Sequence, residues 1–265
     1  MAENEPNLSN RYDIIINEIF FTHWSEGIEE FLFDRVELET AAEKHAIKSP
    51  KNIGDLIYYF RFRVDLPAEI LSTQPHEREW IIELAGKARY RFRLVRKTRI
   101  LPSENLISIA IPDATPEIIR AYALDDEQAL LAIVRYNRLI DIFLGLTTFS
   151  LQNHLRTSVK NIGQIEIDEL YIGLDKRGCH YVIPVQAKGG KDQIGVVQIT
   201  QDIAFATEKF PNMYCKPIAA QFMKGGIIAL FELTLEDGQV KVVEEKHYRL
   251  IPAAQIDPNA VRGYL

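Results

Sequence analysis

Cysteine is nearly missing from this chain: Cys179 and Cys215 are its two, far apart and in no metal-ligand spacing. That argues against a disulfide framework and a cysteine-built zinc site, and makes buried thiols the expectation. No apolar run approaches the roughly 18 residues needed to cross a bilayer, so no membrane partner is expected. The opening MAENEPNLSN is acidic and polar, unlike a secretory leader, which points to a cytoplasmic protein. Internal repeats and low-complexity tracts are absent. The stretch Gly189-Gly190-Lys191-Asp192 lacks the spacing of a phosphate loop. His23, His45, His76, His154, His180 and His247 form no recognisable ligand set.

What is present is enough apolar material for a packed core, 47% of 265 residues, in one large domain or two modest ones. The net charge of -6 is unevenly spread. Residues 1–45 hold eleven acids against Arg11, Arg35 and Lys44, a charge of -8 that leaves the remainder at +2. Steering of a polyanion depends on the local field, so the average does not exclude a nucleic-acid partner.

Residues 12–45 show helical spacing, with Ile15, Ile19 and Phe20, then Ile28, Phe31 and Leu32, at intervals of three and four. From Ile53 the pattern turns to period two in "IGDLIYYFRFRV" and "EWIIELAGKARYRFRLVRKTRIL", which predicts strands. "SENLISIAIP" predicts one more. Thr115 and Pro116 open a helix, and Asp125-Asp126 caps a long one, "EQALLAIVRYNRLIDIFLG", ending at Gly145. "TTFSLQNHLRTSV" predicts a third helix. Two strands follow around a turn at Asp175 to Gly178, then a helix over 193–209 capped by Asp192, a strand "YCKPIAAQFM" and a meander turning at Asp237-Gly238. The fold class is therefore α/β after residue 114, preceded by a β-rich region with an opening helix: residues 1–114 and 115–265.

The hairpin "QIEIDELYIGLDKRGCHYVIPVQAK" carries charge where apolar strands do not need it. Pairing Leu174 with Cys179 sets Asp168 opposite Val185, one step from Gln186. Alternation puts Glu166 and Asp168 on one face, and Gln186 and Lys188 on one face. Two carboxylates, an amide oxygen and an ammonium then meet at the strand ends, and desolvated charge requires a partner. A divalent cation would satisfy the carboxylates. A cross-strand ion pair of Asp168 with Lys188, an edge role for Gln186 and a solvated Glu166 are the structural alternatives. Glu169, on the other face, and Asp175, in the turn, read as structural.

At these residues the sequence resembles the PD-(D/E)xK nuclease superfamily, in particular its Mrr-like and Holliday-junction-resolvase-like members, over roughly residues 125–222. The resemblance implies a restriction-endonuclease-like core over 115–265, a mixed sheet flanked by helices. It also implies a Mg²⁺-dependent DNA endonuclease, with Mn²⁺ as a substitute. Asp168, Glu166, Gln186 and Ala187 would hold the metal, with Asp168, Gln186, Lys188 and Glu166 as the catalytic set. Gln198 or Gln201 would be the glutamine of the following helix, and Glu127 or Asp141 the acid of the preceding one. Gln186 departs from the pattern, since most members carry a carboxylate there; a neutral amide lowers the charge of the site by one unit.

A second feature favours a polyanion. Lys87, Arg89, Arg91, Arg93, Arg96, Lys97 and Arg99 occur in thirteen residues without one acid. The first four alternate with Ala88, Tyr90, Phe92 and Leu94, which predicts a strand with a cationic and an apolar face; Arg61 and Arg63 would lie on an adjacent strand. Such a comb suits a phosphate backbone. Its structural alternative is neutralisation by the acids of residues 26–43. Arg135, Arg138, Arg156 and Lys160 are further phosphate candidates. The functional expectation is a restriction-like defence endonuclease, with a homodimer as the arrangement that would serve a duplex, because one centre cuts one strand. The alternatives are a structure-directed repair or recombination nuclease, a DNA-binding protein with a decayed centre, and a protein-interaction module built on the acidic N-terminal segment.

Overall fold

The computed structural model describes residues 8–48, 53–62, 64–96, 100–122, 127–189 and 194–257. Its internal contacts divide the chain into two units, Met1–Lys97 with Lys160–Gly163, and Thr98–Val159 with Gln164–Leu265. The boundary therefore falls before residue 98 rather than at 114, because the strand of "SENLISIAIP" pairs within the second unit.

The first unit is built from α1 (Leu8–His23), β1 (Glu30–Asp34), α2 (Arg35–Lys44), α3 (Gly54–Phe62), α4 (Ala68–Leu71), β2 (Arg78–Leu84) and β3 (Arg89–Arg96). Its three strands are antiparallel, in the order β1-β3-β2. Ile15, Ile16, Ile19 and Phe20 of α1 pack with Phe33, Trp80 and Phe92 in one buried cluster. Two expectations change here. The opening helix is interrupted by β1, which joins the sheet edge beside β3. Residues 54–62 form α3, not a strand: Ile53, Leu56, Ile57 and Phe60 recur at helical spacing and are all buried, which outweighs the local alternation of aromatic and arginine.

The second unit contains β4 (Ser108–Pro112), α5 (Glu117–Tyr122), α6 (Glu127–Tyr136), α7 (Leu139–Leu144), β5 (Thr147–Val159), β6 (Gly163–Leu174), β7 (His180–Lys188), α8 (Val196–Lys209), β8 (Tyr214–Cys215), β9 (Ile218–Met223), β10 (Ile227–Glu236) and β11 (Gln239–Ile251). One mixed sheet of eight strands runs β4-β11-β10-β9-β7-β6-β5, with β8 beside β7. It is an α/β arrangement. Leu130, Leu131, Val134, Ile140 and Phe143 of α6 and α7 pack with Ile183, Val185, Ala187 and Ala220. Ile199 of α8 packs in a separate cluster with Ala219, Ala229 and Phe231. Ala219 and Ala220 thus serve opposite faces, as strand alternation requires, and β7, α8 and β9 form a crossover between parallel strands.

Local chemistry explains the remaining differences. The expected long helix breaks between α6 and α7, where Arg138 adopts a left-handed φ of 49°. Asn137 competes for the backbone there: its Oδ1 accepts the Ala114 N–H at 2.7 Å, and its Nδ2 donates to Thr115 Oγ1 at 2.7 Å and Ile133 O at 2.9 Å. Residues 147–159 form the edge strand β5, not a helix; only Thr148 and Val159 are buried, so the apolar period is weak, and β-branched residues sit at both ends. The Asp237-Gly238 turn is found, joining Glu236 to Gln239 with both φ values positive. Asp125, Asp126 and Asp192, expected caps, lie outside the described residues. Both thiols are free, and burial pushes that of Cys215 up to about 12. No helix among the described residues is long and apolar enough to cross a membrane.

Candidate functional site

The hairpin register differs by one from expectation. Leu174 pairs with His180 and Glu169 with Val185, because the turn takes one residue more than predicted. Asp175 closes it, its Oδ1 accepting the N–H groups of Arg177 and Cys179 at 2.8 and 2.9 Å. The ladder between β6 and β7 runs from Leu174 and His180 to Glu169 and Val185, whereas β7 pairs with β9 from Val185 through Lys188. Beyond Val185 a side chain bridges β6 to β7: the Ala187 N–H donates to Asp168 Oδ2 at 2.8 Å.

Four elements meet at this strand end. Asp168 of β6 is buried, and burial pushes its carboxyl above the usual range against the Ala187 N–H and the Lys188 ammonium, while Glu127 and Glu166 push it further up. Lys188 at the end of β7 donates from Nζ to Oε1 of Glu127, the first residue of α6, at 2.9 Å. Gln186 is fully buried, and its Nε2 donates to Asp202 of α8 at 3.1 Å (Oδ1) and 3.0 Å (Oδ2) and to the Glu166 carbonyl at 3.2 Å. Gln198 of α8 donates from Nε2 to Gln186 Oε1 at 3.5 Å. Burial holds the Asp202 carboxyl well above the usual range; the Gln186 amide opposes this and the Asp168 charge adds to it.

The structure thus brings Asp168, Gln186, Ala187 and Lys188 together. It selects Glu127 over Asp141 and Gln198 over Gln201 as their neighbours. Asp141 instead accepts from Thr148 N and Oγ1, both at 2.8 Å, at the start of β5. Glu166 turns toward β5, where His154 Nε2 lies 3.1 Å from Oε1 and Arg156 Nε 3.2 Å from Oε2. Ala187 contributes its N–H, while its methyl group packs in the cluster of α6 and α7. Glu169, on the opposite face, is a buried brace that accepts from Arg135 Nε at 2.8 Å and Ser150 Oγ at 2.7 Å. Among the described residues no group of three or more His, Cys, Asp or Glu is arranged to hold a metal.

Asp202 was not among the residues singled out from the sequence. Its signal is visible in hindsight: it sits with Ile199, Phe205 and Ala206 in the buried stripe of α8, a position an acid occupies only with a partner.

The arginine comb is a strand with the expected two faces, Tyr90, Phe92 and Leu94 being buried. Its cationic face is neutralised by neighbouring strands. Arg89 Nε lies 3.0 Å from Asp34 Oδ1. Arg91 donates to Glu83 Oε2 at 3.1 Å (Nε) and 2.8 Å (Nη2), and Arg93 Nη2 to Glu83 Oε1 at 2.6 Å. Arg61 is not on an adjacent strand but in α3, where burial pulls its guanidinium down to about 10 against the charges of Glu83 and Tyr90. Lys87 is exposed in the turn before β3, and Arg96 ends that strand. Arg63, Lys97 and Arg99 lie outside the described residues. Arg135 and Arg138 are likewise paired, with Glu169 and Asp141. The chain matches no protein-family model, no curated protein and no solved structure.

Proposed function

We propose that the second unit is a metal-dependent nuclease that hydrolyses phosphodiester bonds in DNA, a restriction-endonuclease-like enzyme of the PD-(D/E)xK kind. The observation that carries this reading is the meeting of Glu127, Asp168 and Lys188 at one strand end, with Gln186 between β6 and α8. Burying Asp168 beside Glu127 and Glu166 is costly, since Lys188 is shared with Glu127 and the exposed Arg156 is taken by Glu166. A hard divalent cation, Mg²⁺ or Mn²⁺, offsets such a cost with oxygen ligands.

The donor set suits that ion. Asp168 gives Oδ2 to the Ala187 N–H, leaving Oδ1 as a hard ligand, and Gln186 offers an amide oxygen. Bound there, the ion supplies Lewis-acid polarisation of a phosphoryl oxygen and a water of lowered pKa. The remaining work falls to the chain. Asp168 is fixed by the backbone of β7 rather than by a flexible partner. Lys188, whose side chain is 15% exposed, is held by Glu127 where an ammonium can orient an attacking water and offset charge that develops on the phosphoryl oxygens. Glu166 adds negative potential from β6, restrained by His154 and Arg156 of β5.

The test is incubation of supercoiled plasmid, linear duplex, flapped DNA and a four-way junction across Mg²⁺ concentrations, with Lys188→Ala as control. Cleavage that needs Mg²⁺ and is lost in the variant is expected; equal cleavage by the variant refutes the mechanism. Cutting confined to branched DNA reassigns the enzyme to repair or recombination. Metal-independent binding without cleavage favours a non-cleaving DNA-binding protein, the reading that the neutral Gln186 supports.

A further inference from the structure

The Gln186 amide is buried between two acceptors and one donor. Its Nε2 faces both oxygens of Asp202 at 3.1 and 3.0 Å and the Glu166 carbonyl at 3.2 Å, and its Oε1 faces Gln198 Nε2 at 3.5 Å. An amide has two hydrogens, and acceptors on this side demand that the NH₂ end point to them. The side chain therefore has one orientation. Its carbonyl oxygen points the other way, toward Gln198, and keeps a second lone pair, on the face of β7 that Gln186 shares with Lys188. Asp202 is 0% exposed, and among the described residues Gln186 is the group it hydrogen-bonds. An acid placed so deep is hard to explain as a helix-surface residue.

We infer that Asp202 is a positioning residue of the metal site: by taking the amide hydrogens of Gln186 it fixes that side chain with its carbonyl oxygen presented as a ligand for a divalent cation. An acceptor behind the amide also strengthens that oxygen, because a polarised N–H draws electron density toward the carbonyl. The catalytic consequence rests on the hydrolase reading, but the role in holding the ion is separable from it.

A double-mutant cycle separates positioning from general support. Mn²⁺ binding to the full chain is measured by calorimetry in wild type, Asp202→Asn, Gln186→Ala and the double variant, with thermal melting of each. Asn at 202 keeps the volume and removes the buried carboxyl, so the fold is retained, while a second amide leaves Gln186 free to turn over. The single Asp202→Asn change is expected to weaken Mn²⁺ binding by about tenfold, the low end for residues that orient a metal ligand. In the Gln186→Ala background the same change is expected to have no effect, because the side chain through which Asp202 acts is gone. Asp202→Ser, which offers one acceptor without charge, is expected to follow the same pattern and serves if the Asn variant melts early. Additive losses, unchanged affinity in Asp202→Asn, or no Mn²⁺ binding by wild type would each overturn the inference. Mn²⁺ binding with the expected coupling but no DNA cleavage would leave it standing and remove the hydrolase; Mg²⁺-dependent cleavage with additive losses would do the reverse.

Discussion

Replacing Lys188 by methionine separates catalysis from support at the strand end. Met keeps the apolar stem and deletes the ammonium, which lies 2.9 Å from Glu127 Oε1 and counters the Asp168 charge. A hydrogen bond between charged groups contributes about 1.5–3 kcal/mol. The side chains of Lys188 and Glu127 are 15% and 34% exposed, so water replaces part of what Glu127 loses, and a destabilisation of about 2 kcal/mol is expected. A domain at the low end of ordinary stability, about 5 kcal/mol, would then remain more than about 99% folded. Removing a group that offsets transition-state charge costs about 10²- to 10³-fold in rate. The two magnitudes do not overlap: a loss of folded protein cannot account for the fall in activity. The assay is single-turnover plasmid cleavage at saturating Mg²⁺, with urea unfolding of the same samples. Activity that falls only in proportion to the folded fraction would show Lys188 to be a strut between Glu127 and Asp168.

Three further outcomes follow from the same contacts. Free Mg²⁺ at a hundredfold over its Kd is expected to stabilise wild type by about 2.7 kcal/mol and Asp168→Asn negligibly, read as a shift in thermal midpoint; equal shifts would remove Asp168 from the site. Asp168 and Asp202 both have carboxyls raised by burial above an ordinary aspartate value of 3.8, so the folded chain holds protons that the unfolded chain has released. Their contribution to stability is present below 3.8 and is lost as pH rises through the raised values, and urea midpoints from acid to neutral pH should fall less steeply in Asp202→Asn than in wild type. An unchanged slope would mean that Asp202 does not titrate in that range. Glu83→Ala should destabilise the first unit by about 2–3 kcal/mol, less than a fully buried pair costs because Arg91 and Arg93 are partly exposed; a change within about 0.5 kcal/mol would show that Glu83 does not hold the arginines.

The elements legible in the sequence are those whose own residues decide their state. In β3 the alternation of arginine with Tyr90, Phe92 and Leu94 sets both faces at once, and at Asp237-Gly238 the turn chemistry fixes a two-residue connection. The elements misread are those decided by a neighbour. In α3, buried Leu56, Ile57 and Phe60 carry the helical period, while the exposed and aromatic residues between them imitate a strand. In β5 the edge position removes the need for an apolar face, so the period that would announce a strand is weak. The β6-β7 hairpin was legible as a pair, but its register depended on whether Asp175 closed a turn of four residues or of five, a choice made by side-chain hydrogen bonds rather than by composition.

Charge was the least legible property, and its two cases have the same cause. A sequence displays which charges exist but not which opposite charge folding brings beside each. The comb of residues 87–99 contains no acid, yet Asp34, 55 positions from Arg89, and Glu83 on the far side of β3 supply the counter-charges. At the candidate site the balance runs the other way. Glu127, Asp168, Glu166 and Asp202 gather from α6, β6 and α8, with Lys188 bound to the first and Arg156 and His154 to the third. Asp168 and Asp202 are left as buried carboxyls, the first adding to the cost of the second, the first held by the Ala187 N–H and the second by one neutral amide. Paired charge of the first kind is structural, because its members satisfy each other. Unbalanced buried charge of the second kind is stable only where the surrounding fold tolerates its cost, and such excess is characteristic of sites that act on an external charge. On that physical distinction we propose the strand end of β7, rather than the paired Arg89, Arg91 and Arg93 of β3, as the place where a cation and a phosphate would be engaged.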